Sequence, residues 1–495
     1  MRLSELLSCL PFYEMTGPAF DPVIQSISHH HQDVNPGALF IALKGGRADG
    51  KDFIDQAILN GAVAILCDRD FTLPIPVVQV SNLRQALAQI TNLFYEYPSY
   101  NMNVIGVTGT NGKTTVSHMI ESVISQEGEQ TGVIGTLYMK QGNHTKKALN
   151  TTPDNLLLQQ TLLDFLSQKV TTAIIEVSSH GLAQGRMFGC DVDIAVFTNL
   201  TQDHLDYHGS MDHYKWSKSL LFSQLGHQHF TNYPKFAIIN NDDPFSATIS
   251  QSTSAHIISY GLTEQSDVYA SNVHFGRHDT SFTVHTPIGS TSIGIPVVGV
   301  FNVYNALAAI STAVAKKISL SDIAKGLSTL PSVPGRFELV EAKQTFTVIV
   351  DYAHTPDSLR NVLQAIAMMK AKRIFVVVGC GGDRDRTKRP LMAKVACDNA
   401  TDVIFTSDNP RSESPTAIIK DMEQGVVGCR YTVLPDRREA IEFAINQAAI
   451  DDVILIAGKG HEKVQIIGDQ TLPFDDKKVA YEILTKSNNS LLANE

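Results

Sequence analysis

Apolar residues recur along the chain in short unbroken runs, and a polar or glycine-rich segment follows each run. Four such runs lie in the last third of the chain, at 346–350, 373–378, 402–406 and 452–457. Runs of this length are typical of parallel strands that are buried on both faces. Helix-like segments separate the runs, and this alternation predicts a doubly wound α/β sheet.

The polar segments after these four runs are candidates for a binding site. They read DYAHTPDS from residue 351, GCGGDRDR from 379, SDNPRSE from 407 and GKGHE from 458. In open α/β sheets, ligands bind beyond the carboxyl ends of the strands. We therefore expect all four segments to line one edge of the sheet.

Two interruptions of the hydrophobic pattern suggest domain boundaries. A helix-like stretch at 82–97 runs into Pro98, and a short apolar strand opens at Val104. Two prolines and a glycine then break the pattern at 330–335. A chain of 495 residues is also long enough for about three domains. We predict three α/β domains, at 1–99, 100–332 and 333–495.

Composition narrows the class of protein. Hydrophobic residues make up 43% and charged residues 18%, as in folded globular proteins. The net charge of −10 lacks the basic surplus of most nucleic-acid binders. No apolar run reaches about 18 residues, and the N-terminus does not resemble a signal peptide, so we expect a cytoplasmic protein. Six scattered cysteines without CxxC pairs predict free thiols in a reducing compartment.

The clearest chemical motif is VIGVTGTNGKTT at 104–115, where a buried strand leads into a glycine-rich loop and a helix. Backbone N–H groups of such loops bind phosphates, and the helix N-terminus adds positive potential. Lys113 is expected to meet the β- and γ-phosphates, and Thr114 or Thr115 to hold Mg²⁺. The spacing departs from the standard GxxxxGK[ST] pattern, since Val107 occupies the first glycine position.

Two further polar segments follow apolar strands in the central part of the chain. Glu176 ends the first strand, where a carboxylate beside a phosphate loop is placed to bind a metal ion. The alternative is a structural role as a cap of the next helix. Asp203, His204 and Asp206 follow the second strand, and this density of titratable groups indicates a site rather than a plain loop.

Eight segments in order resemble the motifs of the Mur ligase family, which builds the peptide stem of peptidoglycan. They are TGTNGKTT at 108–115, NTTPD at 150–154, EVSSHGL at 176–182, NLTQDHLDYHG at 199–209, YKWSK at 214–218, GVFNVYN at 299–305, PGRFE at 334–338 and DYAHTPDS at 351–358. The resemblance implies an N-terminal uridine-nucleotide-binding α/β domain, a central P-loop ATPase-like domain with a mostly parallel sheet, and a C-terminal Rossmann-like doubly wound sheet. It also implies a monomer whose partners are small molecules, with no nucleic acid or membrane among them.

The segment DNPR at 408–411 resembles the members that add meso-diaminopimelate to UDP-MurNAc-L-Ala-D-Glu. Lysine-adding members typically lack this arginine. Diaminopimelate differs from lysine by a second carboxylate, which the guanidinium of Arg411 is suited to bind. Arg384 is placed to share that task, and Glu462 to meet the distal ammonium group. The resemblance assigns the amino acid to Arg384, Asp408, Asn409, Pro410, Arg411, Gly458 and Glu462.

The resemblance also assigns the remaining site residues. As catalytic residues it gives Lys113, Glu176, His204 and Lys218. For ATP it gives Gly109, Thr110, Asn111, Gly112, Lys113, Thr114, Thr115, Asn302, Arg336 and Asp351. For the muramoyl dipeptide it gives Asn150, Thr151, Thr152, Ser178, Gln184 and Arg186. For two Mg²⁺ ions it gives Thr114, Thr115, Glu176, His204 and Lys218, with Lys218 as a carbamate (N6-carboxylysine). Without the resemblance, Lys218 is typical of a solvated helix surface.

The reaction implied is formation of an acyl phosphate from the D-Glu γ-carboxylate and ATP, followed by attack of the diaminopimelate amine. Because the residues lie in separate domains, we expect hinge closure near 333–335 that excludes water from the intermediate. Three alternatives stay open: the lysine-adding ligase, a folylpolyglutamate synthetase-like ligase, and a nucleotide-dependent switch protein without ligase activity.

The first domain departs from the family pattern in one place. Where members commonly have Asp-Ser-Arg, this chain reads SHHHQD at 28–33. Three consecutive histidines are compatible with a metal site, although no other ligand is evident nearby, and an altered loop is the alternative. The departure concerns contacts to the uridine diphosphate rather than the ligase chemistry.

Overall fold

The structure is a computed structural model that describes residues 1–45, 48–142, 144–226 and 234–492. Its first sheet has five strands in the order β1-β5-β4-β3-β2, and only β1 runs antiparallel to its neighbour. The elements are α1 (Leu3–Leu7), β1 (Glu14–Thr16), β2 (Ser26–Ser28), β3 (Ala38–Ile41), α2 (Ile54–Leu59), β4 (Ala62–Cys67), β5 (Val77–Gln79) and α3 (Leu83–Phe94).

The second sheet has eleven strands in the order β16-β15-β14-β13-β12-β11-β6-β10-β7-β8-β9. Strands from β14 to β7 in this order are parallel, and antiparallel strands extend both ends. The strands are β6 (Asn103–Thr108), β7 (Thr131–Ile134), β8 (Tyr138–Gln141), β9 (His144–Lys147), β10 (Thr172–Glu176), β11 (Ile194–Phe197), β12 (Phe236–Asn240), β13 (His256–Gly261), β14 (Val268–Phe275), β15 (Thr280–Thr286) and β16 (Gly289–Ile295). The helices are α4 (Lys113–Ile124), α5 (Asn155–Ser167), α6 (Ser179–Ala183), α7 (Leu205–His208), α8 (Met211–Ser223), α9 (Ser246–Ser252), α10 (Val300–Ala315) and α11 (Leu320–Ser328).

The third sheet has six strands in the order β17-β18-β22-β19-β20-β21, all parallel except β17. Its strands are β17 (Glu338–Leu339), β18 (Thr347–Asp351), β19 (Ile374–Val378), β20 (Asp402–Phe405), β21 (Tyr431–Val433) and β22 (Val453–Ala457), and β23 (Val464–Ile467) and β24 (Gln470–Pro473) form a hairpin. The helices are α12 (Pro356–Met368), α13 (Lys388–Asn399), α14 (Pro415–Glu423), α15 (Arg437–Gln447) and α16 (Asp476–Leu492).

The four apolar runs of the last third are β18, β19, β20 and β22, and each is buried along nearly its whole length. Because these four strands are parallel, the segments that follow them lie at one edge of the sheet, as predicted. The mostly parallel central sheet and the doubly wound third sheet are likewise confirmed. The exact domain limits stay predictions.

The two predicted linkers contain left-handed backbone. At the first, Glu96 and Tyr97 adopt φ values of 59° and 52° before a 3₁₀ turn at Pro98–Asn101. At the second, Gly335 adopts φ 66°. No described helix has the length and apolar character that a membrane crossing requires.

The expectation of free thiols is wrong for one pair of cysteines. Cys397 and Cys429 form a disulfide, with their Cα atoms 5.6 Å apart. Cys397 lies in α13, and the chain after α14 returns beside that helix, so two residues 32 positions apart become neighbours. Spacing alone does not reveal such a contact. The other four cysteines are free.

A buried ion pair joins α15 to the start of α16 in the third region. Arg437 donates two hydrogen bonds to Asp476, at 2.8 and 2.7 Å, and both side chains are fully buried. Removing one partner of such a pair leaves an uncompensated buried charge. We expect Arg437→Met to lower the free energy of unfolding by about 3–5 kcal/mol, measured by urea denaturation.

The neighbouring Arg438 provides a matched control. It pairs with Glu482 at 2.8 Å, but both side chains are partly exposed. Exposed pairs contribute about 0–1 kcal/mol, so Arg438→Met is expected to change the unfolding midpoint very little. Equal effects of the two substitutions would contradict the importance assigned to burial.

Candidate active site

The predicted phosphate loop connects β6 to α4 and depends on two glycines. Gly109 and Gly112 adopt φ values of +151° and +87°, and Gly112 is the N-cap of α4. A Cβ atom at Gly109 would lie 1.8 Å from Thr198 Oγ1, and one at Gly112 would lie 2.5 Å from Asn305 Oδ1. Only glycine fits these positions, so the sequence permits the loop to turn tightly before the helix.

Two lysines meet on the carbonyl oxygen of Gly109. Lys113 Nζ donates to Gly109 O and Thr110 O, both at 2.9 Å, and Lys218 Nζ donates to Gly109 O at 2.7 Å. Burial lowers the pKa of both lysines, and the charge of Lys113 lowers that of Lys218 further. Lys218 is only 1% exposed, so the surface position that its sequence context suggests is wrong. Lys218 is buried because α8 packs against the phosphate loop, a contact that the local sequence does not reveal.

Glu176 lies at the end of β10 and contacts the start of α4. Its Oε2 atom accepts hydrogen bonds from Thr114 Oγ1 at 2.9 Å and Thr136 Oγ1 at 2.8 Å, while Oε1 accepts from Thr136 N at 3.0 Å. The carboxylate therefore faces the phosphate loop instead of capping α6, whose N-cap bond comes from Ser178. Thr136 was not foreseen, because nothing in its local sequence marks it as a site residue.

Asp203 and His204 lie beside the same loop. His204 Nε2 is 3.4 Å from Asp203 Oδ2, and His354 Nε2, from the third region, is 3.7 Å from the same oxygen. Burial lowers the pKa of His204 to about 3, so the imidazole is neutral at physiological pH and able to bind a metal ion. His354 holds the pKa of Asp203 well below its usual range despite burial.

The candidates for the muramoyl dipeptide cluster around the backbone of Glu176. Thr152 Oγ1 donates to Glu176 O at 2.9 Å and lies 3.1 Å from Ser178 Oγ. Arg186 binds Thr152 O at 2.6 Å and Gln184 Oε1 at 2.8 Å. Thr151 reaches Thr136 at 3.1 Å, whereas Asn150 is exposed at the edge of this group. The structure therefore brings this set together next to the phosphate loop.

A cavity of about 770 Å³ separates the phosphate loop from the third region. Asn111, Gly112 and Thr115 line it on one side, and Arg336 and Asp351 on the other. Arg336 Nη2 reaches across to Thr114 Oγ1 at 3.3 Å. Asn302, near the start of α10, also lines the cavity, and its Nδ2 atom donates to Val298 O.

The candidates for the amino acid gather at the edge of the third sheet. Arg411 Nη1 donates to Gly382 O at 2.7 Å, and Arg384 Nη1 donates to Asp383 O at 2.9 Å. The two arginine side chains flank Gly381, where a Cβ atom would lie 3.0 Å from Arg411 Nη1 and 3.8 Å from Arg384 Cγ. Burial lowers the pKa of Arg411, and the charge of Arg384 lowers it further. Such a pair of cations is suited to binding an anionic group.

The loops that carry these residues pack tightly. A Cβ atom at Gly458 would lie 2.7 Å from Asp408 Oδ2, and Asn409 Nδ2 donates to Glu462 Oε2 at 2.7 Å. Pro410 packs closely on Gly382, since a Cβ atom at Gly382 would lie 1.9 Å from the carbonyl oxygen of Pro410. The seven residues predicted to bind the amino acid therefore lie in three neighbouring segments. These are 408–411 and 458–462, which contact each other, and the adjacent segment that carries Arg384.

The amino-acid loops also contact the linker that carries Arg336. A Cβ atom at Gly335 would lie 2.1 Å from His461 N, and one at Gly460 would lie 2.8 Å from Gly335 O. Tyr352 N donates to Gly335 O at 2.9 Å. The backbone of the GKGHE segment therefore packs directly against the residue before Arg336.

The three histidines of the first region do not gather around a common point. His31 stacks on Phe53, whereas His29 Nε2 lies 4.0 Å from Asp154 Oδ2, in the NTTPD segment. No group of three His, Cys, Asp or Glu side chains suited to a metal ion occurs within the ranges that the structure describes. The altered-loop interpretation of SHHHQD stays a prediction.

Comparison with known proteins places this arrangement in a family. Three family models match: Mur ligase family, catalytic domain, at 23–95; Mur ligase middle domain, at 107–313; and Mur ligase, glutamate ligase domain, at 335–460. The chain is 51% identical over 481 residues to a UDP-N-acetylmuramoyl-L-alanyl-D-glutamate–2,6-diaminopimelate ligase of Listeria monocytogenes serotype 4b, covering 96% of this chain and 97% of that protein. The chain belongs to the Mur ligase family.

Other relatives of this Mur ligase agree in length and fold. A protein of Bacillus licheniformis with the same name is 50% identical over 480 residues, covering 97% of this chain and 98% of the relative. A solved structure of a ligase with that name matches with a TM-score of 0.69 and 34% identity, covering 98% and 99% of the two chains. Folylpolyglutamate synthase from Mycobacterium tuberculosis shares the fold at 18% identity, with a TM-score of 0.64, and covers 76% of this chain.

Proposed function

We propose that this Mur ligase joins meso-diaminopimelate to the D-glutamate γ-carboxylate of UDP-N-acetylmuramoyl-L-alanyl-D-glutamate, converting ATP to ADP and phosphate. The observation that carries the proposal is the position of Arg411 and Arg384 beside Glu462 at the edge of the third sheet. Two cations and one carboxylate complement the distal carboxylate and ammonium groups of diaminopimelate. The near full-length similarity to ligases named for this substrate supports the same conclusion.

The first step is phosphoryl transfer in the cavity between the phosphate loop and Arg336. An oxygen of the γ-carboxylate attacks the γ-phosphorus, the bond from that phosphorus to the β–γ bridging oxygen breaks, and ADP leaves. Lys113, from the phosphate loop, and Arg336, from the far side of the cavity, stabilise the negative charge on the transferring group. The product is an acyl phosphate, which turns an unreactive carboxylate into an electrophile.

The second step is attack of the amine of diaminopimelate on the acyl carbon. The new C–N bond forms, phosphate leaves, and the amine proton passes to a base or to solvent. Arg384, Arg411 and Glu462 orient the amino acid by its distal end, so that its reacting amine points toward the cavity. The muramoyl dipeptide is held on the other side of the cavity by the six residues assigned to it, which are Asn150, Thr151, Thr152, Ser178, Gln184 and Arg186.

The residues present fit one or two Mg²⁺ ions, which would neutralise phosphate charge. Magnesium is commonly held by one or two carboxylates together with substrate phosphates and water. Glu176 is a buried carboxylate beside the hydroxyl of Thr114, Thr115 lines the cavity, and His204 is neutral at physiological pH.

Lys218 is assigned as a carbamate that completes the metal-binding set. Carbamate formation requires a neutral amine, which attacks CO₂ and releases one proton. Burial and the charge of Lys113 both lower the pKa of Lys218 and so favour the neutral amine.

A cytoplasmic location, where the nucleotide substrates are made, is part of the proposal.

The test is phosphate release from ATP and Mg²⁺ with UDP-MurNAc-L-Ala-D-Glu, in parallel with meso-diaminopimelate, L-lysine or no amino acid. We expect release with diaminopimelate, with a product heavier by one diaminopimelate residue, and little release in the other two reactions. Release with lysine instead would overturn the assignment of the amino acid. Release with neither would overturn the ligase assignment and favour a nucleotide-dependent switch.

A further inference from the structure

Lys459, in the GKGHE segment, is a fully buried lysine at the centre of the amino-acid loops. Burying an ammonium group is unfavourable unless its hydrogen bonds are satisfied. Its Nζ atom donates to Val464 O at 2.6 Å, to Asn409 Oδ1 at 3.1 Å and to Glu462 Oε2 at 3.1 Å. An ammonium group has three donors, and these three acceptors occupy all of them.

Two of the three acceptors are residues assigned to the amino acid. Asn409 Nδ2 also donates to Glu462 Oε2 at 2.7 Å, so Lys459, Asn409 and Glu462 form a closed ring of hydrogen bonds. Both bonds to Glu462 fall on the same oxygen, Oε2. Lys459 and Asn409 therefore leave the other carboxylate oxygen, Oε1, without a hydrogen bond from either of them, and 29% of the Glu462 side chain is exposed.

The ring is anchored to the β23–β24 hairpin. Ile466 N donates to Asn409 Oδ1 at 3.0 Å, and Arg411 N donates to Ile466 O at 3.0 Å. The hairpin therefore holds Asn409, within the ring, and the backbone of Arg411. Lys459 also donates to Val464 O at the start of β23, whereas the bond between Arg411 and Ile466 does not involve Lys459.

We propose that Lys459 is a positioning residue that fixes the carboxylate of Glu462 for the distal ammonium group of the amino-acid substrate. The proposal rests on the proposed function, since it gives Glu462 a ligand. Lys459 does not touch the substrate, because its donors are already used. Its contribution is to hold one rotamer of Glu462, so that no side-chain freedom is lost when the amino acid binds.

This role predicts a dependence on the chemistry of the ligand. Diaminopimelate and lysine both carry a distal ammonium group, whereas 2-aminopimelate has the distal carboxylate alone. Loss of Lys459 therefore weakens binding of the first two ligands and leaves 2-aminopimelate unaffected. A lysine that only stabilises the loop would affect all three ligands alike.

The experiment compares Lys459→Met with the wild-type enzyme by calorimetric titration of the three ligands and by steady-state kinetics. We expect Kd and KM for meso-diaminopimelate to rise about ten- to a hundred-fold, the effect of losing a hydrogen bond to a charged group. KM for ATP and Kd for 2-aminopimelate are expected to change less than about two-fold. Lys463→Met, at the exposed lysine that directly follows the GKGHE segment, is the matched control.

A double-mutant cycle with Glu462→Gln provides a second measurement. If Lys459 acts through Glu462, the effects of the two substitutions on diaminopimelate binding are not additive. Additive effects, or equal weakening of all three ligands, would overturn the proposal. Should Lys459→Met fail to fold, Lys459→Arg displaces Glu462 while keeping the charge, and the same comparison applies.

Failure of the proposed function would look different. A wild-type enzyme that releases no phosphate with diaminopimelate contradicts the ligase assignment before any variant is made. A wild-type enzyme that is active, combined with a Lys459→Met variant that binds diaminopimelate normally, contradicts only the role of Lys459.

Discussion

Replacing Lys113 with methionine is expected to lower kcat for phosphate release about 10³-fold while leaving the protein folded. Lys113 Nζ lies on the phosphate loop, bonded to the carbonyl oxygens of Gly109 and Thr110. Removing one preorganised charge or donor at a developing negative charge typically costs about 10²- to 10³-fold in kcat. The larger value is expected because a full charge is lost from a partly buried site.

The measurement is the steady-state rate of phosphate release at saturating substrate concentrations, with circular dichroism to check folding. Lys146→Met is the matched control, since Lys146 lies on β9 of the same sheet and is 76% exposed. We expect the control to keep full activity. A Lys113→Met variant with more than about a tenth of wild-type activity would mean that phosphoryl transfer does not occur at this loop.

Replacing Arg411 with methionine is expected to lower kcat/KM for meso-diaminopimelate by about 10²- to 10³-fold. Truncating one partner of a buried, hydrogen-bonded charge pair costs about 2–5 kcal/mol. Methionine keeps most of the side-chain stem and the backbone hydrogen bond of residue 411 to Ile466 O, but it loses the hydrogen bond from Nη1 to Gly382 O. The low wild-type activity with lysine, which lacks the distal carboxylate, is expected to fall less than about three-fold or to rise.

Arg430→Met is the control for Arg411. Arg430 is exposed and directly precedes β21, so it lies at the amino ends of the parallel strands, away from the binding edge. Steady-state kinetics with both amino acids distinguishes the two roles that Arg411 is able to play. Equal loss of activity with diaminopimelate and lysine would show that Arg411 supports the loop rather than binding the distal carboxylate.

The sequence predicted the third sheet and its binding edge because one physical rule governs both. A strand buried on both faces must be apolar throughout, so β18, β19, β20 and β22 stand out as unbroken runs. Parallel order then places the following loops together. The phosphate loop was equally visible, because only glycine fits at Gly109 and Gly112.

Contacts between distant residues were not predictable in the same way. Lys218 is buried only because α8 packs against the phosphate loop, and its own neighbours in sequence are those of a surface helix. Thr136 supports Glu176 from 40 positions away. Lys459 lies in a recognised segment, but its ring of hydrogen bonds depends on how that segment meets residue 409. The antiparallel strands at both ends of the central sheet lack a pattern that separates them from surface hairpins.

The packing of Gly335 on Gly460 and His461 has a mechanical consequence. Because the two backbones are in direct contact and Tyr352 N donates to Gly335 O, we expect them to move together. Arg336 is therefore expected to move together with the amino-acid pocket, although its side chain reaches into the nucleotide cavity. We therefore expect the pivot of any closure to lie on the N-terminal side of Gly335, and the hinge near 333–335 stays a prediction. A rotation of the third region by a few degrees would therefore move Arg336 and the amino-acid pocket toward the phosphate loop at the same time.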